Sequence, residues 1–117
     1  MIKFLYIFLG GGVGSVIRYC ISILFVKFHF PIATLLSNIL SCLILGSILF
    51  FFSKNNLNDH VKLFFVIGLC GGLSTFSTFS YETINLFKMG YLTYAIFNIL
   101  CSLILCFLTI YFLIKKL

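Results

Sequence analysis

Four apolar runs, each close to the roughly 20 residues a bilayer core requires, fill nearly all of this sequence. The connections between them are too short to let neighbouring helices run parallel. The runs lie near residues 2–26, 31–52, 61–87 and 91–114. The first connection is Lys27-Phe28-His29-Phe30-Pro31, with Pro31 suited to the first turn of the helix that follows. The third is Lys88-Met89-Gly90, where glycine fits a helix C-terminus. Only the second, Ser53 to His60, is polar enough to belong in water. With 62% hydrophobic and 9% charged residues, the chain has more apolar surface than a water-soluble fold can bury. The expected fold is an all-α membrane protein with four transmembrane helices, one domain over residues 1–117, multi-pass in the cell membrane.

A formal net charge of +6 does not point to nucleic acid, because the basic residues stand singly at segment ends. Lysines flanking apolar runs suit lipid headgroups instead, making the bilayer the expected partner. The five cysteines, Cys20, Cys42, Cys70, Cys101 and Cys106, all lie inside apolar runs with no CxxC pair, and read as small buried hydrophobes. Cys101 and Cys106 lack metal-ligand spacing, and the two histidines fall in different loops. No small-residue cleavage site follows the first run and Arg18 interrupts it, so that run is expected to remain attached.

The third run is unusual for lipid. From Gly68 to Glu82 it holds three glycines, five hydroxyl side chains before Tyr81, two phenylalanines and a carboxylate. Gly71-Gly72 followed by Ser-Thr weakens a helix through backbone entropy and competing hydrogen bonds, so the third helix is expected to be broken here. Non-helical backbone at membrane depth survives only where protein buries it or a polar cavity adjoins it, which makes the break a candidate ion or substrate site. If the helix resumes, Phe76 and Phe79 project to one side, as do Ser74, Ser77 and Ser80, and likewise Thr75 and Thr78. A ring edge carries partial positive charge and can face an anion. Glu82, the only acid deep in a run, has three candidate roles: neutralising Arg18, capping polar backbone, or shuttling protons.

The other runs carry polar residues at helical spacing. In the first, Gly10 and Gly14 allow close helix packing, while Arg18 must snorkel, pair with an acid or face an aqueous vestibule. In the second, Thr34, Ser37, Asn38 and Ser41 share one face, and the Asn38 amide needs partners in hydrocarbon. In the fourth, Asn98, Ser102, Cys106 and Thr109 form a stripe that reads equally as the wall of a polar pathway or as interhelical glue.

With these features around Gly-Gly-Leu-Ser-Thr-Phe-Ser-Thr-Phe-Ser, the chain closely resembles, over its full length, the Fluc (CrcB) fluoride channels. The resemblance implies an antiparallel dual-topology dimer of four-helix subunits with two fluoride pores, exporting cytoplasmic fluoride by passive permeation and so lowering its toxicity. It implies that Phe76 and Phe79 turn ring edges to fluoride, that Asn38 donates to it, and that Ser102, with Thr34, Ser77 and Thr78, belongs to the fluoride pathway. By the same likeness Arg18 is a vestibule arginine and Glu82 a structural carboxylate. Gly71 and Ser74 would give main-chain carbonyls to a Na+ ion on the dimer axis, a structural ion that is not transported.

Three features depart from that family's pattern. Asn98 stands where tyrosine is more frequent, Cys106 where glycine or serine is, and Ser74 where threonine is. Charge adds a further question. Lys3, Lys54, Lys62, Lys115 and Lys116 would lie on one side and Lys27 and Lys88 on the other, a bias of five to two that favours termini inside. Dual insertion wants near-balance, so an oppositely oriented paralogue stands beside the homodimer as the expected partner. A small multidrug-type proton-coupled exporter is the alternative function, although it wants an acid in the first run. A non-transporting assembly subunit is another. Enzymatic activity is not expected, since no nucleophile and base pair stands out.

Overall fold

The computed structural model describes residues 1–115; Lys116, counted in the charge bias, lies outside them. The described chain is helical throughout, with helices α1 (Ile2–Leu24), α2 (Ile32–Lys54), α3 (Asp59–Lys62), α4 (Cys70–Leu73), α5 (Ser77–Lys88) and α6 (Leu92–Ile114). A π-helical segment, Leu63–Leu69, joins α3 to α4. Together these pieces make four helical spans long and apolar enough to cross a membrane: α1, α2, the composite Asp59–Lys88, and α6.

Local chemistry accounts for the ends. Pro31 is the N-cap of α2, and its carbonyl accepts from the Leu35 N–H at 3.2 Å. Asn58 caps α3 by accepting the His60 N–H on its side chain at 3.1 Å. Gly90, at φ +85°, is the only described residue with positive φ, and the Tyr91 N–H reaches back to the Leu86 carbonyl at 2.9 Å to close α5.

The third span is broken, though not at the glycine pair. Gly71 and Gly72 are helical, and the chain leaves helical geometry at Ser74, whose φ and ψ are −79° and 153°. The π-helical segment is a second irregularity, with the Cys70 N–H reaching five residues back to the Phe65 carbonyl.

What seats this irregular span is α1. Gly10 and Gly14 are both buried, and they face Gly68 and Gly72 on the third span. A Cβ on Gly14 would strike the Leu69 carbonyl and sit 2.8 Å from the Leu73 nitrogen; one on Gly68 would sit 2.8 Å from the Ile7 carbonyl and 2.9 Å from the Gly10 Cα. Backbone lies against backbone here, as small residues permit in lipid. α2 and α6 pack along each other, and α5 leans on α6. Leu73, fully buried, sits where these layers meet. Phe4, Phe8, Val16, Leu24 and Phe107 are exposed, as suits chains in lipid tails.

Gly14→Ala is therefore expected to cost about 1–3 kcal/mol through overpacking, whereas Gly12→Ala, with nothing within 4 Å of the added carbon, is expected to be neutral or slightly stabilising. Thermal unfolding of the two variants in detergent distinguishes them, and equal melting temperatures would contradict this packing.

Candidate functional site

The break is held open by α2. Asn38 reaches across so that its Oδ1 accepts the Thr75 N–H at 2.8 Å and its Nδ2 donates to the Thr75 carbonyl at 3.2 Å. Backbone N–H and C=O dictate which end of the amide faces which, so the orientation follows from the partners. The Thr75 hydroxyl in turn accepts the Thr78 N–H at 3.2 Å, opening α5. In an unbroken helix the Thr75 and Thr78 N–H groups would bond to the carbonyls of Gly71 and Ser74. Both donors are diverted, and those two carbonyls lose their helical partners.

Neighbouring carbonyls are better supplied. That of Cys70 accepts from the Ser74 N–H at 2.9 Å, the Ser74 hydroxyl at 2.7 Å and the Ser41 hydroxyl at 2.9 Å. That of Gly72 accepts from Arg18 Nε at 3.1 Å. Arg18 is therefore tied to the end of α4, and among the described residues no ion pair within 4.0 Å joins it to Glu82. Of the roles open to Glu82, neutralising Arg18 is the one this geometry replaces: Glu82 Oε1 accepts the Thr34 hydroxyl at 2.8 Å.

Two clefts flank the break and divide the residues singled out from the sequence. The larger, about 420 Å³, is lined by Asn38, Gly71, Ser74, Phe76, Phe79 and Ser102, among others. Its two rings have centroids 5.7 Å apart and are tilted by 40°. Phe79 is buried and forms wall, while Phe76 is 77% exposed at the mouth. Asn38, which lines the cleft, spends one amide N–H on Thr75, and its second N–H has no partner among the described residues. Behind Phe79 runs a polar chain that fixes the wall: Thr83 donates to the Phe79 carbonyl at 2.7 Å, Asn98 Nδ2 to the Thr83 hydroxyl at 2.8 Å, and Ser102 to Asn98 Oδ1 at a long 3.5 Å. Among the described residues no lysine, arginine or carboxylate lines this cleft.

The second cleft, about 290 Å³, gathers Ser15, Arg18, Thr34, Ser37, Thr78 and Glu82. Thr34 and Thr78 thus lie with Arg18 and apart from the two rings. Ser77, at the exposed start of α5, lies outside both clefts, its hydroxyl 3.4 Å from that of Thr75. Among the described residues the buried Ser37 hydroxyl and Glu82 Oε2 find no protein partner. A polar space of this size beside such groups suits ordered water.

Sequence reasoning did not single out Thr83, whose hydroxyl links α5 to α6, or the double role of Thr75. Position i+4 from Phe79 was the available signal for Thr83. On the fourth-helix stripe, Asn98 and Ser102 are buried in this network, whereas Thr109 bonds to its own helix at the Leu105 carbonyl, 2.7 Å away.

Asn38→Ala is expected to remove both bonds to Thr75 and cost about 1–3 kcal/mol, the penalty for stranding buried backbone groups. The check is amide exchange of a peptide spanning residues 74–79: fast exchange in the variant against slow exchange in the unaltered chain is expected, and equal rates would mean Asn38 does not hold the break.

A family model described as CrcB-like protein, Camphor Resistance (CrcB), matches residues 5–113. Among curated proteins, one from Shewanella pealeana is 39% identical over 110 residues, covering 92% of this chain and 89% of its own. One from Phocaeicola vulgatus is 40% identical over 111 residues, covering 89% and 92%. One from Clostridium perfringens is 46% identical over 99 residues, covering 81% and 77%. All three are named fluoride-specific ion channel FluC. Matched along almost its whole length by the family model and at about 40% identity by full-length relatives, this four-span chain belongs to the CrcB family.

Proposed function

We propose that the chain is a fluoride-selective channel through which cytoplasmic fluoride leaves the cell passively. The observation that carries this reading is the larger cleft. It offers an amide N–H from Asn38, the Ser102 hydroxyl, held only by a long 3.5 Å bond to Asn98, and the Phe76 and Phe79 rings beside a helix break, with no cation in its lining among the described residues. Fluoride is small and tightly hydrated, so a pathway must replace its water with donors that hold it without trapping it. Neutral donors and ring edges do this, where a fixed guanidinium would bind too well. Arg18 and Glu82 lie in the other cleft and act on the approach to the route and on the shape of α4 and α5. The proton-coupled exporter considered from the sequence finds no support among the relatives, which are named as fluoride-specific channels.

The same proposal includes an antiparallel, dual-topology homodimer. Gly71 is exposed and a Cβ there would meet nothing within 4 Å, so its face is open to a second subunit. The carbonyls of Gly71 and Ser74 lack their helical donors and are the right chemistry for a hard cation. They fit a structural Na+ ion shared by two subunits, four oxygens in all. Such an ion would supply the positive charge that those carbonyls do not receive from the helix.

In liposomes the purified protein is expected to release fluoride and retain chloride, as a fluoride electrode and a chloride electrode would record. Phe76→Ile and Phe79→Ile should each slow fluoride by at least about tenfold, a barrier change of about 1.4 kcal/mol, while the protein stays folded. Flux that is absent, or equal for the two anions, would overturn the channel, and unchanged rates in both variants would remove the rings from the route. Crosslinking that finds one orientation in cells without a paralogue would overturn the homodimer.

A further inference from the structure

The larger cleft is also lined by residues to which the proposed fluoride route assigns no role. Cys42 of α2 and Cys106 of α6 both line it, beyond Asn38 and Ser102. Both are half-buried and both are free. The helices that carry them pack along each other, so both side chains border one cleft from adjoining walls. Cys70 is nearby but engaged elsewhere: it is buried, and its thiol points to the Ser41 carbonyl at 3.6 Å. Among the described residues no three His, Cys, Asp or Glu side chains converge as a metal site.

We propose that Cys42 and Cys106 form a two-coordinate site for a thiophilic metal ion of the class of Ag+, Cu+ and Hg2+, set in the wall of the Phe76 and Phe79 cleft. Soft sulfur ligands select soft ions, and a site limited to two thiols suits ions that accept two ligands; tetrahedral zinc would lack the other two. The chemistry is substitution without redox change. Each S–H bond gives way to a sulfur–metal bond, and two protons leave to solvent. With Hg2+ the product is a neutral bis-thiolate, which a weakly polar cleft tolerates far better than a free ion. Occupancy would staple α2 to α6 beside Asn38 and Ser102 and narrow the cleft. That second consequence rests on the fluoride reading, whereas the binding does not.

The test loads purified full-length protein with Hg2+, washes it with an excess of a small monothiol to strip singly held metal, and counts the mercury retained per protomer. One ion is expected in the unaltered chain, and none in Cys42→Ser, Cys106→Ser or Cys106→Ala, each checked for an unchanged elution profile. Retention that survives either loss, or no retention in the unaltered chain, would overturn the site. In liposomes Hg2+ should abolish fluoride release by the unaltered chain, dithiothreitol should restore it, and the variants should be spared. Metal retained with release unaffected would overturn the placement of the pair on the conducting cleft. Because the binding count needs no transport, it judges the site even in protein that passes no fluoride.

Discussion

Direct backbone contact between α1 and the third span is the constraint on which the remaining geometry depends. In lipid no hydrophobic force drives helix against helix, so association comes from close packing and polar bonds. Gly10 and Gly14 against Gly68 and Gly72 provide the first. The approach also places Arg18 within reach of the Gly72 carbonyl. With one side of α4 fixed, α2 can meet the other, and Ser41 and Asn38 bond to the Cys70 carbonyl and to Thr75 from there. The break is thus a junction fastened from two directions.

Its hydrogen bonds are redistributed unevenly. A simple gap in a helix would strand several backbone groups in an apolar interior, at a cost of several kcal/mol. Here most find partners: three donors converge on the Cys70 carbonyl, and the Thr75 peptide is matched on both sides by one amide. The Gly71 and Ser74 carbonyls are left over because Thr75 and Thr78 have given their N–H groups away. A side chain in α2 and a hydroxyl in the break thereby decide which oxygens are free to bind something else.

Much of this was legible in the chain itself. Four spans, their short connections and the Gly90 turn follow from apolar length and turn chemistry, and the broken third span follows from its hydroxyl-rich composition. Within that stretch the glycine pair stays helical, with Gly72 packed against α1 and Gly71 exposed, and the break falls at Ser74 and Thr75, where Asn38 binds the chain. That bond is a tertiary interaction, invisible to local propensity. The π-helical segment left no local signal for the same reason. Likewise, Thr34 and Asn38 share a helical face by spacing yet line different clefts, Thr34 bonding to Glu82 and Asn38 to Thr75. Arg18 was expected to snorkel, pair with an acid or face a vestibule, and the bond it makes is to the Gly72 carbonyl, an oxygen of a kind that every residue carries and no sequence pattern reveals.

The exposed oxygens at the break have a bearing on the life of the isolated chain. In water a bare carbonyl is solvated at no expense; surrounded by acyl chains it has nothing to turn to. On the dimer proposed above, a solitary protomer in the bilayer would hold a small store of unfavourable energy on one side, relieved when that side meets another surface able to shelter it. On that proposal, the incentive to pair would reside in the backbone of one subunit before any partner arrives.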